Sequence, residues 1–391
     1  MVNKKLRVGL DARVLVYPRS GLSAYLVSLI EELKRYPDIE VFLFSDRNLS
    51  EEYEQIVGDL SKVIFGFKYR KYWANYLLGT QLKKYSIDIY HANWDGGIPF
   101  FSPCPSIMTL HSITPIKRPP GVKRHMFKRR AKRVKYWLTF QIEKRIAKKI
   151  IVVSEYMKNY IHRYAHIPLK KMVVIYLGVD RNFKEIKDTL TLNKKLEEYN
   201  LKNKKFILTI PTRVMEERKN IPTLIKSFEY IFFKYRRNDL YLVIVGEFMQ
   251  DSNQAKEFLF GRVSKDVQKN IVFLGHVKRE DLPYLLNGCE VMVFPSLYEG
   301  FGLPIVEAFA CGTAVVASNI SCIPEIAGDA ALLVDPFDYK KLGEEIMRVI
   351  TDSRVKNILK RRGLQRAKEF SWKRNAEVTY RIYREVTKSY K

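Results

Sequence analysis

The stretch CEVMVFPSLYEGFGLPIVEAFACGTAVVAS, residues 289–318, decides how the chain is built. CEVMVFP (289–295) is a short apolar run that stops at Pro295, and AVVAS (314–318) is a second one; both read as buried strands. Between them, Glu299-Gly300-Phe301-Gly302 forms a glycine-bearing loop. Pro304 suits the first turn of a helix and Gly312 its C-terminal stop, so a short helix is expected over 304–311. Strand, loop, helix and strand in this order form a βαβ unit, whose crossover is right-handed and whose strands are parallel.

The same rhythm runs outward in both directions. Upstream, strands are expected at KFILTI (205–210), LYLVIVG (240–246) and IVFLG (271–275), with a helix at NIPTLIKSFEYIFFKY (220–235). An earlier series has strands at LRVGLD (6–11), EVFLF (40–44), IDIYHA (87–92), SIMTL (106–110), KIIVVS (149–154) and MVVIYLG (172–178). A helix is expected over 20–36. The two series are separated by RNFKEIKDTLTLNKKLEEYNLKNKK (181–205), which is polar and has no strand character. The fold class expected is therefore α/β, with two doubly wound, Rossmann-like parallel-sheet domains, 1–185 and 186–369. They would face each other across a cleft at the carboxyl ends of their strands, where such sheets bind ligands.

Bulk properties bound the function. The chain has 391 residues, 47% hydrophobic and 28% charged, with no apolar run near the ~20 residues of a membrane span. Its start is basic and then apolar, but Asp11 and Arg13 interrupt the apolar part, which reads as a first strand rather than a secretory signal. A cytoplasmic protein is expected. Cys104, Cys289, Cys311 and Cys322 show no metal-ligand spacing and read as structural thiols, so no metal site is expected. The net charge is +27, and residues 117–149 hold fourteen Lys/Arg against the single acid Glu143. Such a block attracts a polyanion, either nucleic acid or an anionic membrane.

The chemistry concentrates after strand 289–295. A helix N-terminus beside a loop whose glycines permit close approach is an anion site suited to a pyrophosphate. Glu307 sits one turn into the helix, eight residues after Glu299; a carboxylate there can accept from the two hydroxyls of a ribose, and Glu299 can do the same for a sugar. Taken singly, Glu299 reads as solvated and Glu307 as favouring the helix dipole. The glycines, the helix start and the paired carboxylates together favour the binding site. In RVMEERK, Arg213 and Lys219 follow strand 205–210 and would place two cations beside a departing diphosphate, with Arg218 able to share the role.

These residues resemble the E-x7-E signature of glycosyltransferase family 4, the retaining GT-B enzymes. IPEIAGDAALLVDPFDYKKL (323–342) looks like the continuation of that signature, and Arg213 with Lys219 is similar to the family's R-x5-K pair. The resemblance implies a nucleotide-sugar donor, with Glu307 on its ribose. Glu299 and the backbone of Gly300, Phe301, Gly302 and Leu303 would hold its sugar and diphosphate, and His276 and Val277 would border its base. It implies no divalent metal and no other cofactor.

In the first half, GLDARVLVYPRSGLSAYLVSLIEEL (9–33) looks like the family's first strand, glycine loop and helix, which assigns Gly21 to the diphosphate. The first loop resembles members that often use GDP-mannose. TLHSITP (109–115) resembles a position where a histidine lines the cleft, giving His111 a contact with the donor sugar; this chain has Ser112 where the family often has Asp. His91, at another strand end, is the weaker candidate. FSWKRNAEVTYRIYREV (370–386) looks like the terminal helix that packs back on the first domain.

Along 127–142, Phe127, Ala131, Val134, Leu138 and Ile142 recur at helical spacing among Lys and Arg, a basic amphipathic helix. Its apolar face either packs on the domain or meets a membrane. An anionic membrane surface through 117–149 is favoured over nucleic acid, for which no base-reading motif is present. The expected activity is hexosyl transfer to a glycan or lipid-linked saccharide, with retention, by an enzyme peripheral to the inner face of the cell membrane. The alternatives are a nucleotide-sugar epimerase of the same fold and a basic nucleic-acid-binding protein.

Overall fold

A computed structural model describes residues 4–16, 21–65, 77–93, 97–112, 130–247, 257, 259–261 and 263–390. The first part of the basic segment, 117–129, and the residues 17–20 preceding Gly21 lie outside the described residues, as do the side chains of 130–136.

Among the described residues two sheets are present, and every strand pair in both is parallel. The first has the order β3-β2-β1-β4-β5-β6-β7. Its strands are β1 (Leu6–Asp11), β2 (Ile39–Ser45), β3 (Ser61–Ile64), β4 (Ile89–Ala92), β5 (Ser106–Leu110), β6 (Lys149–Val152) and β7 (Met172–Val174). The second has the order β10-β9-β8-β11-β12-β13. Its strands are β8 (Lys205–Arg213), β9 (Leu240–Glu247), β10 (Ile271–Gly275), β11 (Val291–Phe294), β12 (Val315–Ser318) and β13 (Ala331–Val334). Both sheets thus reverse direction of travel once, between β1 and β4 and between β8 and β11. These switch points open a crevice beyond the carboxyl ends of the two strands, where a ligand can enter.

The chain divides into two compact units. One gathers described residues up to Gly178 together with those from Ser371 onward; the other runs from Val179 to Phe370. The first unit ends seven residues before the boundary at 185 expected from composition, because Phe183 is buried in the core of the second. The polar stretch after it is not a bare linker: Asp188 caps the helix Thr189–Glu198, whose Leu196 enters the same core.

Local chemistry explains the departures at strand ends. β8 continues past Pro211 to Arg213 with a register shift between Thr209 and Thr212, since proline cannot donate to the ladder and is accommodated by an irregularity. The expected strand 172–178 pairs only over 172–174. Beyond it the backbone turns to the last helix, and a Cβ on Gly178 would lie 2.2 Å from the Trp372 backbone nitrogen.

Candidate active site

The second unit assembles a buried ionic cluster at its switch point, from the loops that leave β8 and β11. The β8 loop makes a short 3-10 turn, Glu217–Lys219, and Asn220 in the left-handed region starts the helix Ile221–Lys234. Lys219 is 7% exposed; its Nζ lies 2.7 Å from Glu299 Oε1 and above the ring of Phe294. Arg218 Nη1 donates to Glu299 Oε2 at 2.7 Å, and its Nε and Nη2 donate to the two oxygens of Glu216. Each oxygen of Glu299 therefore carries one cation.

Backbone ties hold these loops together. Leu297 N–H donates to the Arg218 carbonyl at 2.7 Å, and the Asn220 side-chain amide donates to the carbonyls of Pro295 and Pro336. Behind Glu299, Ser321 Oγ bonds both its N–H and its carbonyl, and Cys322 Sγ donates to the carbonyls of Glu299 and Phe301.

Burial raises the cost of a charge on Glu299, yet Lys219 and Arg218 outweigh it and hold the carboxyl below its usual range. Burial pulls the Lys219 ammonium down, with Glu299 opposing. It also opposes the charge on Arg218, but Glu299 and Glu216 prevail and keep that guanidinium firmly protonated. Two cations and two carboxylates balance here, so an arriving anion must share Lys219 and Arg218 with Glu299 and Glu216.

The helix expected over 304–311 runs Leu303–Ala310, with Gly302 as its cap at φ +97°. Its N-terminus offers fewer donors than the sequence suggests, because Pro304 has no N–H and the N–H of Ile305 bonds to the Gly302 carbonyl. Arg213 stands exposed at the end of β8.

Glu307 is buried on that helix and meets a residue that the sequence reading did not single out. Arg279 Nη2 donates to Glu307 Oε1 at 2.7 Å, its Nε faces Asp180 Oδ2 at 3.5 Å, and its guanidinium lies 4.9 Å from the Phe183 ring centroid. Glu307 and Asp180 outweigh burial and raise the Arg279 pKa. Nearby, Gly275 leaves β10 at φ +65°, Val277 is buried and His276 is exposed.

In the first unit, Gly21 is the first residue of the helix Gly21–Leu33 and His111 directly follows β5. His111 Nε2 is buried and finds no hydrogen-bond partner among the described residues, while the ring meets Tyr25 edge-on at 4.7 Å. Burial lowers its pKa to about 4. His91 has a structural place: it is fully buried, with Nδ1 2.7 Å from Tyr383 Oη and Nε2 2.8 Å from Thr109 Oγ1. Thr109 Oγ1 also meets Tyr25 Oη at 3.0 Å, so this chain of hydroxyls joins the last helix, Trp372–Lys388, to the sheet beneath His111. At the switch point of this unit, Arg13 pairs bidentately with the fully buried Asp11, whose carbonyl accepts from Asn93.

The structure thus brings Lys219 and Arg218 together on the two oxygens of Glu299, gives Glu307 to Arg279, and leaves Arg213 exposed. Arg218 was visible only as a neighbour of Lys219. Arg279 carried no signal beyond lying two residues after Val277.

Comparison with known proteins follows the division of the chain. The family described as Glycosyltransferase Family 4 matches residues 19–183, and Glycosyl transferases group 1 matches residues 192–366. The O-antigen chain mannosyltransferase B of Escherichia coli is 33% identical over 241 residues, 61% of this chain and 61% of its own length. Other mannosyltransferases of that species are matched over 27–28% of theirs. Sucrose-phosphate synthase from Thermosynechococcus elongatus superposes with a TM-score of 0.76 at 20% identity, covering 98% of this chain and 100% of that one. Anabaena HepE in complex with UDP and glucose gives a TM-score of 0.75 at 18% identity, covering 97% and 99%. With two parallel α/β units of Rossmann order and these matches across both, the chain belongs to glycosyltransferase family 4 and has the GT-B fold.

Proposed function

We propose that the protein transfers a hexosyl group from a nucleoside-diphosphate sugar to a hydroxyl of a glycan or lipid-linked saccharide, with retention at the anomeric carbon. The observation that carries this reading is the buried cluster of Lys219, Arg218 and Glu299 beside the Gly300–Gly302 loop, where the two strands at the switch point end. Cations fixed in a dry site stabilise charge that develops on a leaving diphosphate without having to reorganise. In the proposed step the bond from the anomeric carbon to the diphosphate oxygen breaks. The acceptor oxygen bonds to that carbon on the same face, and its proton passes to the departing phosphate.

Lys219, Arg218 and Arg213 take the diphosphate charge, Glu299 the sugar hydroxyls, and Glu307 the ribose. His276 and Val277 border the base, and the backbone of Gly300, Phe301, Gly302 and Leu303 lies along the donor. By family resemblance, His111 is assigned to the sugar and Gly21 to the diphosphate. GDP-mannose is the donor favoured, since the O-antigen relative is named a mannosyltransferase. No divalent metal is required in this reading.

We place the enzyme at the cytoplasmic face of an anionic membrane. Among the described residues no helix is long and apolar enough to cross a membrane. On the helix Arg130–Ile146, however, Trp137, Leu138 and Ile142 are 47%, 51% and 39% exposed, while Phe140 and Glu143 face inward. An outward apolar stripe on a basic helix suits a headgroup interface.

The test is release of nucleoside diphosphate from GDP-, UDP- and ADP-sugars, with and without a detergent extract of membranes and with EDTA present. Acceptor-dependent release from one donor, abolished in Lys219→Ala, is the expected result. No release from any donor overturns the reading.

A further inference from the structure

Arg279 lies outside the residues that the family signature assigns, yet it occupies one oxygen of the carboxylate meant for the ribose. Its position is overdetermined. The turn at 180–183 presents two supports to one guanidinium, the Asp180 carboxylate at 3.5 Å from Nε and the Phe183 ring at 4.9 Å from its centre. That turn is itself closed, with the Asn182 N–H on Asp180 Oδ1 at 2.9 Å and the Phe183 N–H on the Asp180 carbonyl at 3.0 Å. The 3-10 turn Arg279–Asp281 is pinned from the other end, where Asp281 accepts from Tyr199 Oη at 2.7 Å and pairs with Lys195 at 3.2 Å.

The Glu307 side chain is only 4% exposed, and that of Arg279 24%. The guanidinium therefore fixes how this carboxylate is turned, on a helix start that is itself fixed by Gly302. A carboxylate accepts at about four lone-pair sites over two oxygens. With Oε1 committed to Arg279, Oε2 is left with a defined direction.

We propose that Arg279 is a positioning residue for the nucleoside end of the site: clamped between Asp180 and Phe183, it holds Glu307 by one oxygen and leaves the other for the ribose hydroxyls. This rests on the nucleotide-sugar reading above. It differs from a plain structural ion pair in one respect, that Arg279 is coupled to the ribose hydroxyls rather than to the ligand as a whole.

The experiment is a cycle in which protein and ligand are both altered. GDP, UDP and ADP, and the 2′,3′-dideoxy form of whichever binds, are titrated calorimetrically into wild type, Arg279→Met, Arg279→Lys and Glu307→Ala at pH 7.5. Wild type should prefer the ribonucleotide by about tenfold or more, the range for hydrogen bonds to a charged group. Arg279→Met should lose most of that preference, as Glu307→Ala does, and Arg279→Lys should keep part of it.

Equal weakening of ribo and dideoxy ligands in Arg279→Met, with the ribose preference intact, overturns this inference and leaves the nucleotide-sugar reading standing. Should Arg279→Met not fold, a ribose preference in Arg279→Lys equal to that of wild type overturns it as well. A wild type that binds none of the three nucleotides overturns both.

Discussion

Acid should loosen the first unit through His91, and the size of the effect follows from its surroundings. The ring is 0% exposed and sits between two hydroxyls, those of Tyr383 and Thr109, which suit a neutral imidazole carrying one donor and one acceptor. Burial and then His111 push its pKa down to about 3. In the unfolded chain a histidine titrates near 6.5.

Between these values the unfolded state binds the proton and the native state does not. The contribution to stability is therefore complete above about pH 6.5 and is lost as pH falls toward 3. At pH 5 the loss is about 2 kcal/mol, being roughly 1.5 pH units at ~1.4 kcal/mol each. Any native value below about 4 gives the same figure, because the native imidazole is already neutral at pH 5. The assay is native-state hydrogen exchange of peptides covering β4 and β5 under increasing urea, which follows this unit without requiring both units to unfold together. His91→Gln keeps a donor and an acceptor but cannot titrate. Wild type should lose about 2 kcal/mol more than His91→Gln between pH 7.5 and pH 5.0. Equal losses in the two proteins would refute the reasoning, whatever the baseline stability of the variant.

Three further outcomes are expected. Lys219→Met should destabilise the second unit by about 3 kcal/mol, because it leaves a buried carboxylate with Arg218 alone, and Lys219→Met with Glu299→Gln should cost less than the two single changes summed; urea midpoints decide. Gly302→Ala should cost about 1–2 kcal/mol through its left-handed backbone, since the added Cβ meets Ile305 and Phe294 only at ordinary contact distance, 3.4 and 3.6 Å. A melting temperature unchanged from wild type would contradict this. Trp137→Ser with Leu138→Ser should reduce co-sedimentation with anionic vesicles by about tenfold while secondary structure stays the same, and undiminished sedimentation would remove the helix from the membrane reading.

Much of the fold was legible because buried parallel strands are short apolar runs, and β1, β5, β9 and β11 read as such. The strands that escaped lie at sheet edges. In SKVI (61–64) only Val63 is buried, and ALLV (331–334) is half-buried at its centre, so neither carries a full core signature. Pro211 truncated β8 on paper, whereas the chain absorbs it as an irregularity and delivers Arg213 to the strand end. At the site, loop glycines and strand-end charges were readable because they lie close in sequence to the strands that position them. Partnerships were not. Arg279 and Glu307 are 28 residues apart, and Arg218 and Glu299 are 81 apart. Their pairing depends on where two loops come to rest, which periodicity does not encode.

The division of the chain also sets an order of manufacture. Domains fold as units while they emerge from the ribosome, the N-terminal one ordinarily first. Among the described residues the second unit, Val179 to Phe370, is continuous and can close as soon as it is made, but the first needs residues from Ser371 onward. His91 lacks its Tyr383 partner, and Tyr25 the Trp372 beside it, until the chain has been synthesised through the last helix. Of the two units, the N-terminal one is therefore finished second. Nascent chains stalled before Trp372 should carry a protease-resistant second unit attached to an incomplete first one.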